Sequence, residues 1–283
     1  MTANELVAKV KDLRVASQAA LQLVNLLDRP DACNDDIVKI LRYDNVLTAK
    51  LLRACNSSAF GFSEAVSSVD QAVFLLGHQK ILQVVLALEF SATMTVPLAG
   101  YAVESKELWH HSLATASAAE LLAKGGVEIN ADAAVAFTAG LLHDIGKLLM
   151  NQALVPEIQT EVRNRINEKG ISRVEAEREV IGTDHAEAGA VLLQSWKLPE
   201  DIVEAVKNHH APVTKPRPRM SALVHVADVV AHLAGSAPGW EAFAMTVDYH
   251  VTEAFDISPD RLQTLVMEVR DTFERVDEMM KMA

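Results

Sequence analysis

From Ala133 to Met150 the chain reads AAVAFTAGLLHDIGKLLM, eighteen residues in which only Thr138, His143, Asp144 and Lys147 carry polar side chains. A helix this apolar around its whole circumference has to be buried. Ionisable groups buried with it are costly unless they are ion-paired, hydrogen-bonded or metal-bound. Spacings of three and four set His143, Asp144 and Lys147 along one stripe of that helix. From these residues alone two readings stand: an Asp–Lys pair beside a buried imidazole that ties helices together, or a functional site.

Helix signals surround this segment almost without interruption. Ser68 precedes the apolar run Val69–Leu76, which Gly77 ends, and Asn130 precedes Ala131–Met150. Ser172 with Glu175, and Asp184 with Glu187, have capping-box spacing. Pro199 and Pro259 stand where a first helical turn begins. Alternating strand patterns bounded by hairpin turns are missing. The expectation is an all-α, two-lobed protein of about a dozen helices joined by short loops. Its softest boundary is Val96–Val103, where Pro97 and Gly100 interrupt two apolar stretches. That boundary divides an N-terminal helical lobe, residues 1–98, from a second lobe, residues 99–283, which holds the candidate chemistry. Ala211–Arg219, with Pro212, Pro216 and Pro218, reads as a loop inside the second lobe.

With 50% hydrophobic residues the chain has ample material for a core. A formal net charge of −12 argues against nucleic acid phosphates and anionic membranes as partners. The basic cluster Lys215–Arg219 is too short and proline-broken to change that. No stretch reads as long enough to span a bilayer: Ile81–Phe90 and Ala222–Gly235 are short, or broken by Glu89, His225, Asp228 and His232. Glu5, Lys9 and Lys11 near the start do not form a secretory signal, so the expected compartment is the cytoplasm. Cys33 and Cys55 lack a CxxC spacing. They are expected to be small buried apolar residues, not a disulfide or a thiolate zinc site.

Further ionisable residues join the first set. Glu107 and His111 share a helix face, and His185 opens a helix just after Asp184. His209 and His210 close the helix that starts at Pro199, and Asp228 interrupts the apolar run Leu223–Leu233. A lone histidine is weak evidence of a site. Together these residues and the His143–Asp144 pair supply five imidazoles and three carboxylates on helices. Such a donor set suits iron, manganese or zinc, and helical bundles build metal centres in this way.

The order Glu107, His111, His143-Asp144, Lys147, His185, His209-His210, Asp228 resembles the ligand order of HD-superfamily metal-dependent phosphohydrolases. The nearest parallel is the HD-GYP branch, whose members bind several metals and hydrolyse cyclic di-GMP. This resemblance implies His111, His143, Asp144 and Asp228 as core ligands of a first ion. It implies Glu107, His185, His209 and His210 as extending the site to a second or third, with Asp144 bridging. Iron or manganese, with zinc as an alternative, would be the cofactor. Asp144 and Lys147 would be the catalytic residues, Lys147 facing a substrate phosphate. The Gly-Tyr-Pro stretch of that branch has no counterpart here, where His209-His210 runs into Ala211-Pro212-Val213. Cyclic di-GMP hydrolysis is therefore not expected.

The segment Leu51–Ile81 is similar to the signature of the HDOD (HD-related output domain) family. The similarity lies in Asn56-Ser57, Phe60-Gly61, Ser67-Ser68-Val69, Ala72-Val73 and Leu75-Leu76-Gly77. It continues through Leu108-Trp109 and Ser112 to about residue 212. HDOD proteins are usually bacterial signalling or regulatory components, many without metal ligands, whereas this chain retains them. The resemblance implies a metal-binding signalling protein. The alternative is a metal-dependent phosphohydrolase or phosphodiesterase acting on a nucleotide or other phosphoester. The implied partner is a signalling protein or a small phosphorylated ligand, with no membrane or nucleic acid.

Overall fold

The computed structural model describes residues 1–10, 17–26, 29, 33–42, 44–125, 131–211, 220–239, 251, 255 and 257–282, with side chains described as far as residue 275. Among the described residues there are fourteen α-helices and no β-strand. In chain order they are α1 (Ala3–Lys9), α2 (Gln18–Asn25), α3 (Asn34–Arg42), α4 (Asn45–Cys55) and α5 (Val69–Met94). After a 3-10 turn at Ala99–Tyr101 come α6 (Glu107–Lys124), α7 (Ala133–Leu142), α8 (Ile145–Ala153), α9 (Pro156–Lys169) and α10 (Arg173–Ile181). The last four are α11 (His185–Ser195), α12 (Glu200–Asn208), α13 (Met220–Leu233) and α14 (Pro259–Met282).

Caps set many of these boundaries. The Ser68 side chain accepts from the backbone N–H of Gln71, and Ser172 with Glu175 forms a reciprocal capping box. Asp184 accepts from the N–H of Glu187, but the Glu187 carboxylate takes the Thr183 hydroxyl instead of closing a box. Pro199 is the N-cap of α12, one residue earlier than a first-turn proline. Gly77, at φ +75°, kinks α5 without ending it.

The segment expected as one helix over Ala131–Met150 is two. Asp132 caps α7 through the N–H groups of Ala134 and Val135; Asn130 lies outside the described residues. The chain breaks at His143-Asp144, and Asp144 becomes the N-cap of α8. The most costly polar pair in the run therefore sits at a helix junction, where its side chains turn toward one point.

Two apolar cores result. A smaller one joins Leu23, Ile37, Leu41, Leu47, Leu51 and Ile81. A larger one surrounds α6, α7, α8, α11, α12 and α13. Helix α5 serves both, giving Ile81, Leu82 and Val85 to the first and Leu86, Phe90 and Met94 to the second. Helix α1 packs on α11 and α8, and its Ala3 and Leu6 belong to the larger core. Leu98 and Val103 pair across the turn that follows α5.

Two stretches, Val69–Ser91 and Ala133–Ala153, are long and apolar enough to cross a membrane by length and composition, although no such stretch was expected. The second reaches that length because α7 and α8 add end to end, and 94% of its apolar window is buried inside the fold. Of the two cysteines, Cys55 is buried as expected, but Cys33 is exposed. Cys33 lies just before α3, where its backbone N–H donates to Asp36.

Candidate metal centre

Two close helix approaches assemble the site. A Cβ on Gly140 would lie 2.9 Å from Ala116 Cα and from the Thr115 carbonyl oxygen, so the glycine lets α7 press against α6. A Cβ on Gly146 would overlap the carbonyl of His185, so that glycine seats α8 against the start of α11. The first contact brings His111 to His143, and the second brings His185 to Asp144.

The histidines are then held by their Nδ1 atoms. His111 Nδ1 donates to the Ser236 carbonyl at 2.7 Å, His143 to Gly140 at 2.8 Å and His209 to Val206 at 2.7 Å. His185 Nδ1 donates to Glu177 Oε2 at 2.8 Å. A carbonyl or carboxylate can only accept, so each of these bonds fixes the proton on Nδ1. The Nε2 lone pair of the neutral ring is left for another partner.

Those Nε2 atoms converge on carboxylates. His111 Nε2 is 3.0 Å from Asp228 Oδ1 and 3.7 Å from Asp144 Oδ2, and His143 Nε2 is 3.3 Å from Asp144 Oδ2. On the other side of Asp144, its Oδ1 is 3.5 Å from His185 Nε2 and 3.8 Å from His209 Nε2. His210 adds its Nε2 at 2.8 Å from that of His185. Asp144 thus stands between two donor sets: His111, His143 and Asp144 on one side, and Asp144, His185, His209 and His210 on the other. A third set, His111, Asp228 and His232, overlaps the first. Within each set the donor atoms lie within 4.8 Å of one another, close to what bonds of about 2.0–2.2 Å to a shared ion require.

The charges agree with this use. Burial opposes ionisation of Asp144, but His143 and Lys147 outweigh it and hold the carboxyl well below the usual range. Asp228 is likewise held well below it, burial being overcome by the imidazoles of His111 and His232 set against it. Burial, reinforced by His143, pushes His209 down to about 3, which keeps that imidazole neutral. Burial would depress His143 and His185 as well, yet Asp144 raises the first and Glu177 the second.

A divalent metal fits these residues on three grounds. Asp144 Oδ1 and His209 Nε2 are buried with no hydrogen-bond partner. His111 Nε2 and His143 Nε2 face each other at 3.2 Å although both rings donate from Nδ1, which brings two lone pairs together unless a cation or proton is shared. The donor chemistry, imidazole with carboxylate, suits iron, manganese or zinc.

Lys147, the last of the residues singled out in the apolar run, is buried and ion-paired to Asp144 Oδ2 at 2.8 Å. Glu107 stands one turn before His111, but its Oε2 accepts from the backbone N–H of Glu104, and it enters none of the three donor sets. The basic cluster Lys215–Arg219 lies outside the described residues. His232, Glu177 and the Ser236 carbonyl were not anticipated as parts of the site. A signal for His232 was present in its spacing of four from Asp228. Glu177 also accepts from Tyr101 Oη at 2.9 Å, linking the turn after α5 to His185.

Residues 13–212 match the HDOD domain. The chain belongs to the HDOD family. An HDOD protein from Geobacter sulfurreducens, of unknown function, has a similar structure at 25% identity, with a TM-score of 0.73 over 98% of this chain and 96% of the other. A protein from Shewanella amazonensis, provisionally classed as a phosphohydrolase, matches at 26% identity and a TM-score of 0.71 over 98% and 97% of the two chains. An uncharacterised protein of Treponema pallidum is 27% identical over 204 residues, which are 71% of this HDOD chain but 38% of the relative. The chain therefore spans well under half the length of that curated relative.

Proposed function

We propose that this HDOD protein is a cytoplasmic, metal-binding signalling protein whose centre takes two divalent ions, iron or manganese, on either side of Asp144. The observation that carries this reading is the pair of inward-facing imidazole nitrogens of His111 and His143, which need a shared cation or proton between them. His111, His143 and Asp228 would hold one ion, and His185, His209 and His210 the other, with Asp144 reaching both. Glu177 fixes the His185 ring, and the backbone carbonyls of Ser236, Gly140 and Val206 fix the other rings. The test is metal analysis of protein purified without chelator. More than one iron or manganese per chain is expected, falling sharply in Asp144→Ala.

A second reading, phosphoester hydrolysis, is favoured by a cavity of about 610 Å³ at the edge of the cluster, lined by His210, His225, Ser172 and Arg178. When bound, divalent ions at such a centre supply Lewis-acid stabilisation and an activated water. Arg178 offers phosphate a guanidinium at the mouth, while its Nε holds Asp184 at 2.6 Å. Lys147 keeps Asp144 ionised from behind. Simple phosphodiesters should be cleaved slowly, and cyclic di-GMP poorly or not at all, because this chain lacks the Gly-Tyr-Pro stretch. Rapid cyclic di-GMP turnover that disappears in Asp144→Ala would reverse the order of the two readings.

A further inference from the structure

Away from the metal cluster, the loop between α4 and α5 holds Asn56-Ser57, Phe60-Gly61 and Ser67-Ser68 of the family signature, and none of these enters the metal donor sets. Asn56 closes this loop on itself. Its amide donates to the Val66 carbonyl at 2.8 Å and accepts from the Val66 N–H at 2.7 Å. Gly61, at φ +61°, turns the chain between Phe60 and Phe62, whose rings stack nearly parallel with centroids 5.8 Å apart. The loop so fixed presents Phe60 to a cleft of about 230 Å³, walled also by Lys80 and Gln83 of α5, Phe137 of α7, and Thr272 and Arg275 of α14.

Among the described residues the charges at this cleft do not balance. Lys80, Lys124 and Arg275 gather near one carboxylate, Glu120. Glu120 is already taken by Lys124 and by the amide of Gln83. Lys80 donates to Gln83 Oε1 at 3.0 Å, which uses one of its three N–H donors. Arg275 donates from Nε to the Asp271 carbonyl, and among the described residues no carboxylate pairs with it. Burial depresses the Lys80 ammonium, and Lys124 and Arg275 add to this against Glu120. In a chain of net charge −12, a mostly apolar cleft where cations outnumber carboxylates among the described residues is a specific feature.

We propose that this cleft binds a small organic anion, its oxyanion group set against Lys80 and Arg275 and its apolar body against Phe60 and Phe137. The size restricts the ligand. At about 230 Å³ the cleft falls below the roughly 300–1,000 Å³ of drug-sized pockets, so it admits a compact carboxylate or phosphate ester and excludes a dinucleotide. The location gives binding a consequence. The ligand would touch the signature loop, α5, α14 and α7 together, and α7 runs from Phe137 directly to His143. The site is independent of the metal reading, since it shares no residue with the cluster.

Benzoate and phenylphosphonate serve as probes, with benzyl alcohol as the neutral control, titrated calorimetrically into the full chain after chelator treatment. Saturable binding of the anions, with the alcohol at least tenfold weaker, is expected. Arg275→Ala, at an exposed position that leaves the core intact, should weaken anion binding about tenfold. Thr272→Trp, which fills the cleft and keeps both cations, should abolish it. Absence of saturable anion binding, equal binding of the alcohol, or indifference to both cleft variants would each overturn the proposal.

Discussion

At the scale of single residues the site turns on Asp144, which separates two sets of imidazoles while neutralising Lys147 behind it. Asp144→Asn removes the charge but keeps the size. In the metal-free protein it takes the carboxylate away from the buried Lys147 ammonium, and breaking a buried ion pair in this way costs roughly 3–5 kcal/mol. Denaturant unfolding of chelator-treated protein checks this; a loss below about 1 kcal/mol would mean that Lys147 finds other compensation. Proton linkage gives a second expectation. Asp144 and Glu177 raise His143 and His185 above the ordinary imidazole value of 6.5, so the metal-free protein holds protons there to higher pH than a free imidazole does. Those protons stabilise the metal-free fold below about pH 6.5, and the benefit is lost as pH rises through the raised values. Metal must displace the same protons, so apparent affinity should rise with pH over that range and uptake near pH 7 should release protons. Calorimetry in buffers of different ionisation enthalpy measures the release, and its absence would contradict the assignment of these rings.

At the scale of elements, the cluster depends on how closely α8 approaches α11. Gly146→Ala forces a methyl group into the carbonyl of His185. The expected cost is roughly 1–3 kcal/mol, together with preferential loss of the ion held by His185, His209 and His210. Thermal unfolding and metal content of that variant test both, and wild-type values would show that the approach can relax. The same elements show which features could be read in advance. His143, Asp144 and Lys147 stood out because charge inside an apolar run is expensive, and their pairing in the fold is what that cost requires. The helix break at His143-Asp144 was hidden, because α7 and α8 are both strong apolar helices and their junction carries neither glycine nor proline. Glu177 was hidden for the opposite reason. It lies in a polar capping-box helix of ordinary appearance and becomes special only when its carboxylate meets the backbone N–H and ring of His185. His232 was visible but read as an interruption of apolar sequence, since its ring reaches Asp228 only through the helical turn between them.

At the scale of the whole molecule, α5 joins two cores and the signature loop rests where the smaller core meets α7 and α14. The all-α class was legible from caps and periodicity because nearly every boundary is set locally. The path of α1 onto α11 was not, because a long-range apolar contact leaves no local mark in Ala3 or Leu6. Binding of metal to the native state alone should raise the unfolding temperature, and chelation should lower it, as mass action requires. The most direct test of the metal centre is a count of ions in protein purified without chelator. The arrangement around Asp144 predicts about two iron or manganese ions per chain, reduced to near zero in Asp144→Ala while the far-ultraviolet spectrum stays helical. A chain that carries no metal under those conditions, or retains its full complement without Asp144, would contradict it.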